Sequence, residues 1–219
     1  WISALDADNY NLQDTPTVQY DLGIAINSKN HPEWVNVEKL KQYCTQVAVM
    51  QEGPHWYFQD YPLANQIHYF NNLTDADIIF VHNETDRKYY RGLVENKDVR
   101  IMPSLMIEDS IKSIPDVDRS NVIIGGNFVS WYGGFDSMIV ASSFEEQIYA
   151  PSMGRRQDGE ERLINHLPYM NWKEWIYKLA EFKYAVHLNP NTIGGTFSLN
   201  CGYLGIPCIG NVHQQTQRL

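Results

Sequence analysis

The chain has 219 residues, 43% of them hydrophobic, which is enough to bury a core in one large domain or two small ones. Its formal charge of −9 and pI near 5.2 exclude bulk electrostatic binding of nucleic acid or anionic membranes, so any phosphate site must be local. No apolar run approaches membrane-spanning length, which argues against a transmembrane segment.

Residues 1–16 read as an irregular lead-in, and Trp1-Ile2-Ser3 does not read as a signal peptide. Short β-branched runs then alternate with helical patterns. Strands are expected at Tyr20–Ile26 and Gln46–Gln51. Asp60 precedes a helix with Pro62 early and Leu63, Ile67 and Phe70 on one side. A strand at Asp77–His82 follows, then a helix opened by Asn83 and Asp86 and bearing Tyr89, Tyr90 and Leu93, then a strand at Val99–Pro103.

The polar stretch Glu108–Asn121, with Pro115, interrupts the rhythm and reads as an interdomain linker. Beyond it come strands at Asn121–Gly125, Gln147–Ala150 and Leu163–Leu167. Asn171 is placed to cap a helix over Trp172–Lys183, with Glu174 in capping-box position and Trp172, Trp175, Ile176 and Leu179 as the buried stripe. Strands at Tyr184–Asn189 and Pro207–Gly210 complete the order. Continuous apolar strands alternating with helices predict doubly wound parallel sheets, covered on both faces. The fold class is therefore α/β, with two Rossmann-like domains, residues 1–113 and 114–219, facing a cleft.

The three cysteines, Cys44, Cys201 and Cys208, are odd in number and lack metal-ligand spacing, so no metal site is expected; Cys201 and Cys208, in apolar surroundings, suit buried thiols of a cytoplasmic protein. Two sequons, Asn72-Leu73-Thr74 and Asn83-Glu84-Thr85, read as chance.

Ligands of such sheets bind beyond the carboxyl ends of the strands, which directs attention to the loops there. Two carry glycine pairs, Gly125-Gly126 with Gly133-Gly134, and Gly194-Gly195 ahead of a helix. Such glycines either make turns or bring backbone amides close to an anion. Arg155-Arg156 suits bidentate phosphate binding, or belongs to a solvated loop where Glu160, Glu161 and Arg162 pair locally. Tyr169 either holds a base or is a buried core residue. In the first half, "QEGPHWYFQDY" gathers Glu52, His55, Trp56, Tyr57, Phe58 and Asp60 just past a strand. Glu52 is the general-base candidate there, with His55 sharing proton transfer and the aromatics stacking on a sugar, unless the loop is merely packed. His82 and His187 read as structural.

The segments "NVIIGGNFVSWYGG", "YMNWKEWIYKLAEFKYAVHLNP", "TIGGTFSLNCGYLGIP" and "CIGN" together resemble the nucleotide-binding domain of GT-B glycosyltransferases of the retaining, sucrose-synthase-like kind. "LTDADIIFVHNETDRKYY…DVRIMPS" looks like the end of that family's acceptor domain, so the resemblance covers Gln46 to Asn211. It implies a metal-independent transferase with no cofactor, taking a nucleotide-diphosphate sugar as donor and an unknown sugar, lipid or protein as acceptor. Donor contacts would come from Gly126, Asn127, Tyr132, Gly133, Arg155, Arg156, Tyr169, Thr192, Gly194, Gly195, Thr196 and Asn200. Asn127 and Tyr132 stand where the family has Arg and Lys, and Thr192 and Asn200 where it has two acids. Leading acceptor-domain strands and C-terminal crossover helices of the family are also expected to be missing. A degenerate module that binds sugar, nucleotide or a partner without turnover is the alternative; a nucleotide-sugar epimerase is a third.

Overall fold

The computed structural model describes residues 2–11, 14–53, 55, 60–102, 104–111, 113–114, 116–128, 132–152, 156–189 and 196–210. The chain divides into two compact units, Trp1–Pro103 and Ser104–Leu219.

The first unit opens with a short helix α1 (Ile2–Leu5). Its sheet has strands β1 (Tyr20–Asn27), β2 (Cys44–Gln51), β3 (Ile78–Val81) and β4 (Asp98–Ile101), all parallel and side by side in chain order. Helices α2 (Val37–Lys41), α3 (Leu63–Asp75) and α4 (Glu84–Leu93) form the crossovers. Sequential order with right-handed crossovers puts all three helices on one face. The core agrees, because Leu40, Tyr69, Leu73 and Tyr90 from the helices meet Ala25, Val47, Val49, Ile79, Val81 and Val99 of one strand face. Within these four strands the crossovers step in one direction, so the reversal of a doubly wound sheet does not fall among them. On the opposite face Leu22, Ile24 and Ile26 of β1 are exposed, so this edge strand is not covered on both sides.

The second unit is doubly wound. Strands β5 (Ser120–Ile124), β6 (Ile148–Ala150), β7 (Asn165–His166), β8 (Phe182–His187) and β9 (Cys208–Gly210) are parallel in the order β7-β6-β5-β8-β9. Helices α5 (Gly134–Ala141), α6 (Trp172–Leu179) and α7 (Thr196–Tyr203) cover it. One core joins Ile123, Ala185, Ile176, Leu179 and Cys201; the other joins Val122, Ile124, Val186, Met138 and Ala141. Alternate residues of β5 and β8 thus feed opposite cores, as strands buried on both faces must.

Several boundaries move for physical reasons. Residues 104–119 belong with the second unit rather than forming a free linker, because Ile111 is buried in its core with Met106 and Ile114 against it. The division accordingly precedes the expected 113/114 boundary. Asn171 and Glu174 form the expected capping box, but α6 stops at Leu179 and Phe182 already begins β8, where its ring enters the core.

The loop after β5 closes tightly on itself. Gly134 N–H donates to Asn127 O at 3.0 Å, and Gly133 starts α5 with φ +62°. A Cβ on Gly134 would lie 2.1 Å from the Asn127 carbonyl oxygen, and one on Gly126 2.6 Å from the Tyr132 carbonyl oxygen. The partner is backbone, which cannot swing aside. Gly134→Ala is therefore expected to destabilise the chain by about 3 kcal/mol, the upper part of the overpacking range. Urea denaturation measures this, and an unchanged midpoint would show that the loop has room to open.

Candidate functional site

The carboxyl ends of β2 and β3 converge on a buried carboxylate. Asn83 caps α4, its Oδ1 accepting from Asp86 N at 2.9 Å, and this turn aims the Asp86 side chain inward. Asp86 is 0% exposed. Its Oδ2 accepts from Asn83 Nδ2 at 3.1 Å and from Gln51 Nε2 at 3.3 Å, while its Oδ1 lies 2.9 Å from His55 Nδ1. A carboxylate accepts, so Nδ1 of His55 carries a proton, and in the neutral imidazole Nε2 is the nitrogen with the lone pair. The imidazole is also stacked on Tyr89, ring centres 4.3 Å apart, which fixes its plane. Behind it, Tyr90 donates to Gln51 Oε1 at 3.4 Å, and the Tyr69 and Tyr90 hydroxyls meet at 3.2 Å.

Lys29, just past β1, is 1% exposed. Burial pulls its amine down to about 8, against the attraction of Asp86 and Glu52, which favour the charged form. Glu52 itself is exposed, its Oε2 accepting the Lys29 backbone N–H at 3.3 Å. His82 is half-buried with Nε2 3.2 Å from Gln51 O, and burial lowers its pKa, in keeping with a structural part. Trp56, Tyr57 and Phe58 lie outside the described residues. The structure thus brings Glu52 and His55 to one place and adds Lys29, Asp86 and Gln51, none of which the sequence marked as functional.

In the second unit, Asn127 and Asn200 are each 2% exposed. Gly126 and Gly133 are buried and Tyr132 half-buried in the loop after β5. Ser137 fastens that loop: its hydroxyl donates to Gly133 O at 2.8 Å and accepts from Leu188 N at 2.9 Å, tying α5 to the end of β8. β5 and β8 are the strands at which the chain order of this sheet reverses, the customary ligand position of such folds. Thr196, at the start of α7, is exposed. Arg155, Thr192, Gly194 and Gly195 lie outside the described residues.

Two sequence readings need correction. Tyr169 is 83% exposed, not a core residue. Glu160 does not join an open loop of local pairs: it is 3% exposed, accepts from Gln157 N at 2.7 Å and sits 3.3 Å from His166 Nε2. Arg156 is exposed and donates to Ser152 Oγ at 3.4 Å. His187 is a core residue as expected, edge-on to Phe197 and pushed down to about 4 by burial. Among the described residues no three His, Cys, Asp or Glu side chains are grouped to hold a metal ion, and no helix is long and apolar enough to cross a membrane.

Among solved structures, a sucrose-phosphate synthase from Thermosynechococcus elongatus is similar over 88% of this chain and 56% of its own, with TM-score 0.64 and 16% identity. A match over 88% of the chain takes in both units. The fold is that of the GT-B glycosyltransferases. Anabaena HepE solved with UDP-glucose matches over 87% of this chain and 59% of its own, with TM-score 0.63 and 11% identity. The pneumococcal O-GlcNAc transferase GtfA, solved with UDP and GlcNAc, matches over 86% and 42%, with TM-score 0.61 and 14% identity. The chain thus spans about half the length of these GT-B proteins. It matches no protein-family model and no curated protein by sequence.

The buried amine of Lys29 gives a pH signature. Between about 8 and its ordinary value of 10.5, the unfolded chain holds a proton that the folded chain does not. Stability contributed by this group therefore rises with pH across that window and is flat outside it. In Lys29→Met the rise should vanish, so the stability difference between wild type and variant changes from pH 8 to 10.5. Parallel stability curves across this range would show that Lys29 titrates normally.

Proposed function

We propose that this chain forms the two units of a glycosyltransferase that moves a sugar from a nucleoside-diphosphate donor to an acceptor hydroxyl, without a metal ion. The observation that carries the reading is the His55–Asp86 pair at the carboxyl end of the first sheet. A fold whose solved examples include proteins determined with UDP, GlcNAc and UDP-glucose supports it. His55, held by Asp86 and Tyr89, presents Nε2 as the base. The acceptor oxygen bonds to the anomeric carbon, the bond from that carbon to the diphosphate oxygen breaks, and the hydroxyl proton passes to His55. The nucleoside diphosphate leaves. Glu52 is the neighbouring carboxylate for a second acceptor hydroxyl.

In the second unit the donor is assigned to the loop after β5 and the start of α7, with Gly126, Asn127, Tyr132, Gly133, Thr196 and Asn200. The exposed Thr196 and half-buried Tyr132 offer hydroxyl donors and acceptors to ribose and sugar, with the buried Asn127 and Asn200 shaping the loop and helix behind them. Arg156 is free to turn toward the diphosphate, and the exposed face of Tyr169 is open for a base to stack on. A second reading, binding without turnover, is favoured by the neutrality of Asn127 and Asn200, which leaves the leaving group's charge to fewer cations.

Thermal-shift measurements with UDP, GDP and ADP and their glucose esters test the donor assignment, since a ligand of the native state raises its apparent stability. One nucleotide class is expected to raise the melting temperature. With the matching sugar nucleotide and an accepted alcohol, His55→Gln should lower kcat by about 100- to 10,000-fold at unchanged donor affinity. Glu52→Gln should cost less. A chain that binds the donor yet transfers to no acceptor is the binding module instead, and a chain that binds no nucleotide is not this transferase.

A further inference from the structure

We propose that Cys201 and Cys208 form an oxidation site, a dithiol that a hydroperoxide converts into an intramolecular disulfide. The turn after α7 brings the two together. Gly205, at φ +64°, ends the helix, with Ile206 N–H donating to Cys201 O at 2.9 Å and Gly205 N–H to Gly202 O at 3.1 Å. This paired bonding about a left-handed glycine turns the chain back against the last turn of the helix. The Arg119 guanidinium fastens the turn, donating to Leu204 O at 2.6 Å and to Gly205 O at 3.0 Å. Pro207 O then accepts from Ala185 N at 2.9 Å, and Cys208 begins β9 in register with Ala185 of β8.

Cys201 of α7 is 0% exposed in the core that also holds Ala185, and the half-buried Cys208 packs against that core. The two thiols share a hydrogen bond that Cys201 donates. It holds the Cys208 thiol below its ordinary range against the opposing effect of burial, and holds Cys201 above it. Cys208, the more acidic and more accessible of the pair, is therefore the nucleophile, and Cys201 resolves. The Cys208 sulfur attacks one oxygen of hydrogen peroxide, the O–O bond breaks, and the thiol proton leaves with the other oxygen as water. The Cys201 sulfur then attacks the sulfur of the resulting sulfenic acid. The S–O bond breaks, and the Cys201 proton leaves in a second water. The two thiols are oxidised to one disulfide and the peroxide is reduced to two waters. Cys44 is buried in the core of the first unit, which has no other cysteine.

The site depends on packing within the second unit and not on the transferase reading above. The 219-residue chain, folded and reduced, is treated with hydrogen peroxide, alkylated in denaturant and cut by chymotrypsin, which cleaves at Tyr203 between the two cysteines. Two of the three thiols should be lost, with the two fragments joined through Cys201 and Cys208, and dithiothreitol should restore both. The bond should also raise the urea midpoint, because a closed loop restricts the unfolded chain. Cys208→Ser, at the half-buried position, should abolish both changes, and Cys44→Ala should preserve them. Persistence of all three thiols overturns the proposal, as does passage of Cys208 to the sulfinic acid while Cys201 stays a thiol. A bond that joins Cys44 or two chains overturns it too. So does a disulfide that lowers the urea midpoint, since the fold would then have to give way to form it.

Discussion

A carboxylate with no access to water must have its lone pairs filled by the protein, and Asp86 imposes that demand on everything around it. Leaving such a group unpaired costs several kcal/mol, so its partners are held as firmly as core residues. They come from three places: the end of β2 through Gln51, the loop beyond through His55, and the first turn of α4 through Asn83. The requirement sets which rotamer His55 takes and therefore which nitrogen it shows to a ligand. It also gives the buried Lys29 a counter-charge, without which burying an ammonium so completely is hard to sustain.

The loop after β5 in the second unit meets its constraints without charged side chains. Its glycines are spent on letting backbone approach backbone, so that the loop after β5 and the start of α5 occupy the space a side chain would fill. Ser137 then locks the arrangement to β8 with a single hydroxyl. What results is a rigid rim of neutral hydrogen-bonding groups at the reversal point of the sheet. The two units thus divide the physics: an ion-containing, polarised cluster in one and a neutral, tightly packed loop in the other.

Much of this was legible in the residues. Strand positions read correctly because β2, β3, β5 and β8 are continuous apolar runs, and the caps at Asn83 and Asn171 read correctly because capping is local chemistry. The strand order of the first sheet was not legible. Alternating strands and helices give the same pattern whether crossovers step in one direction or reverse, and only tertiary packing separates the cases. Nor was the side α3 would turn inward, since Leu63, Ile67 and Phe70 are as apolar as any core stripe while Asn72 goes inside to bond Asn27 and Pro32. Lys29 gave no signal because a single lysine past a strand is ordinarily solvated. Asp86 read only as a helix opener, its three partners lying 3, 31 and 35 residues away. Tyr169 shows the converse: an aromatic next to a strand invites a core reading, and only the fold reveals it on the surface.

The buried asparagines have a consequence for how the chain is made. Asn72 Nδ2 uses its hydrogens on Asn27 Oδ1 and Pro32 O, both at 2.9 Å, and Asn83 Nδ2 is bound to Asp86. Each is the acceptor atom of a sequon, and each sits at 4% exposure. An oligosaccharide added there during synthesis would replace a hydrogen the fold needs and hold a bulky polar chain where there is no space for it. Translation in a secretory compartment would therefore set glycosylation against folding, with the modified fraction trapped unfolded. Replacing Thr74 and Thr85, which complete the sequons, would lift that competition without touching either buried amide.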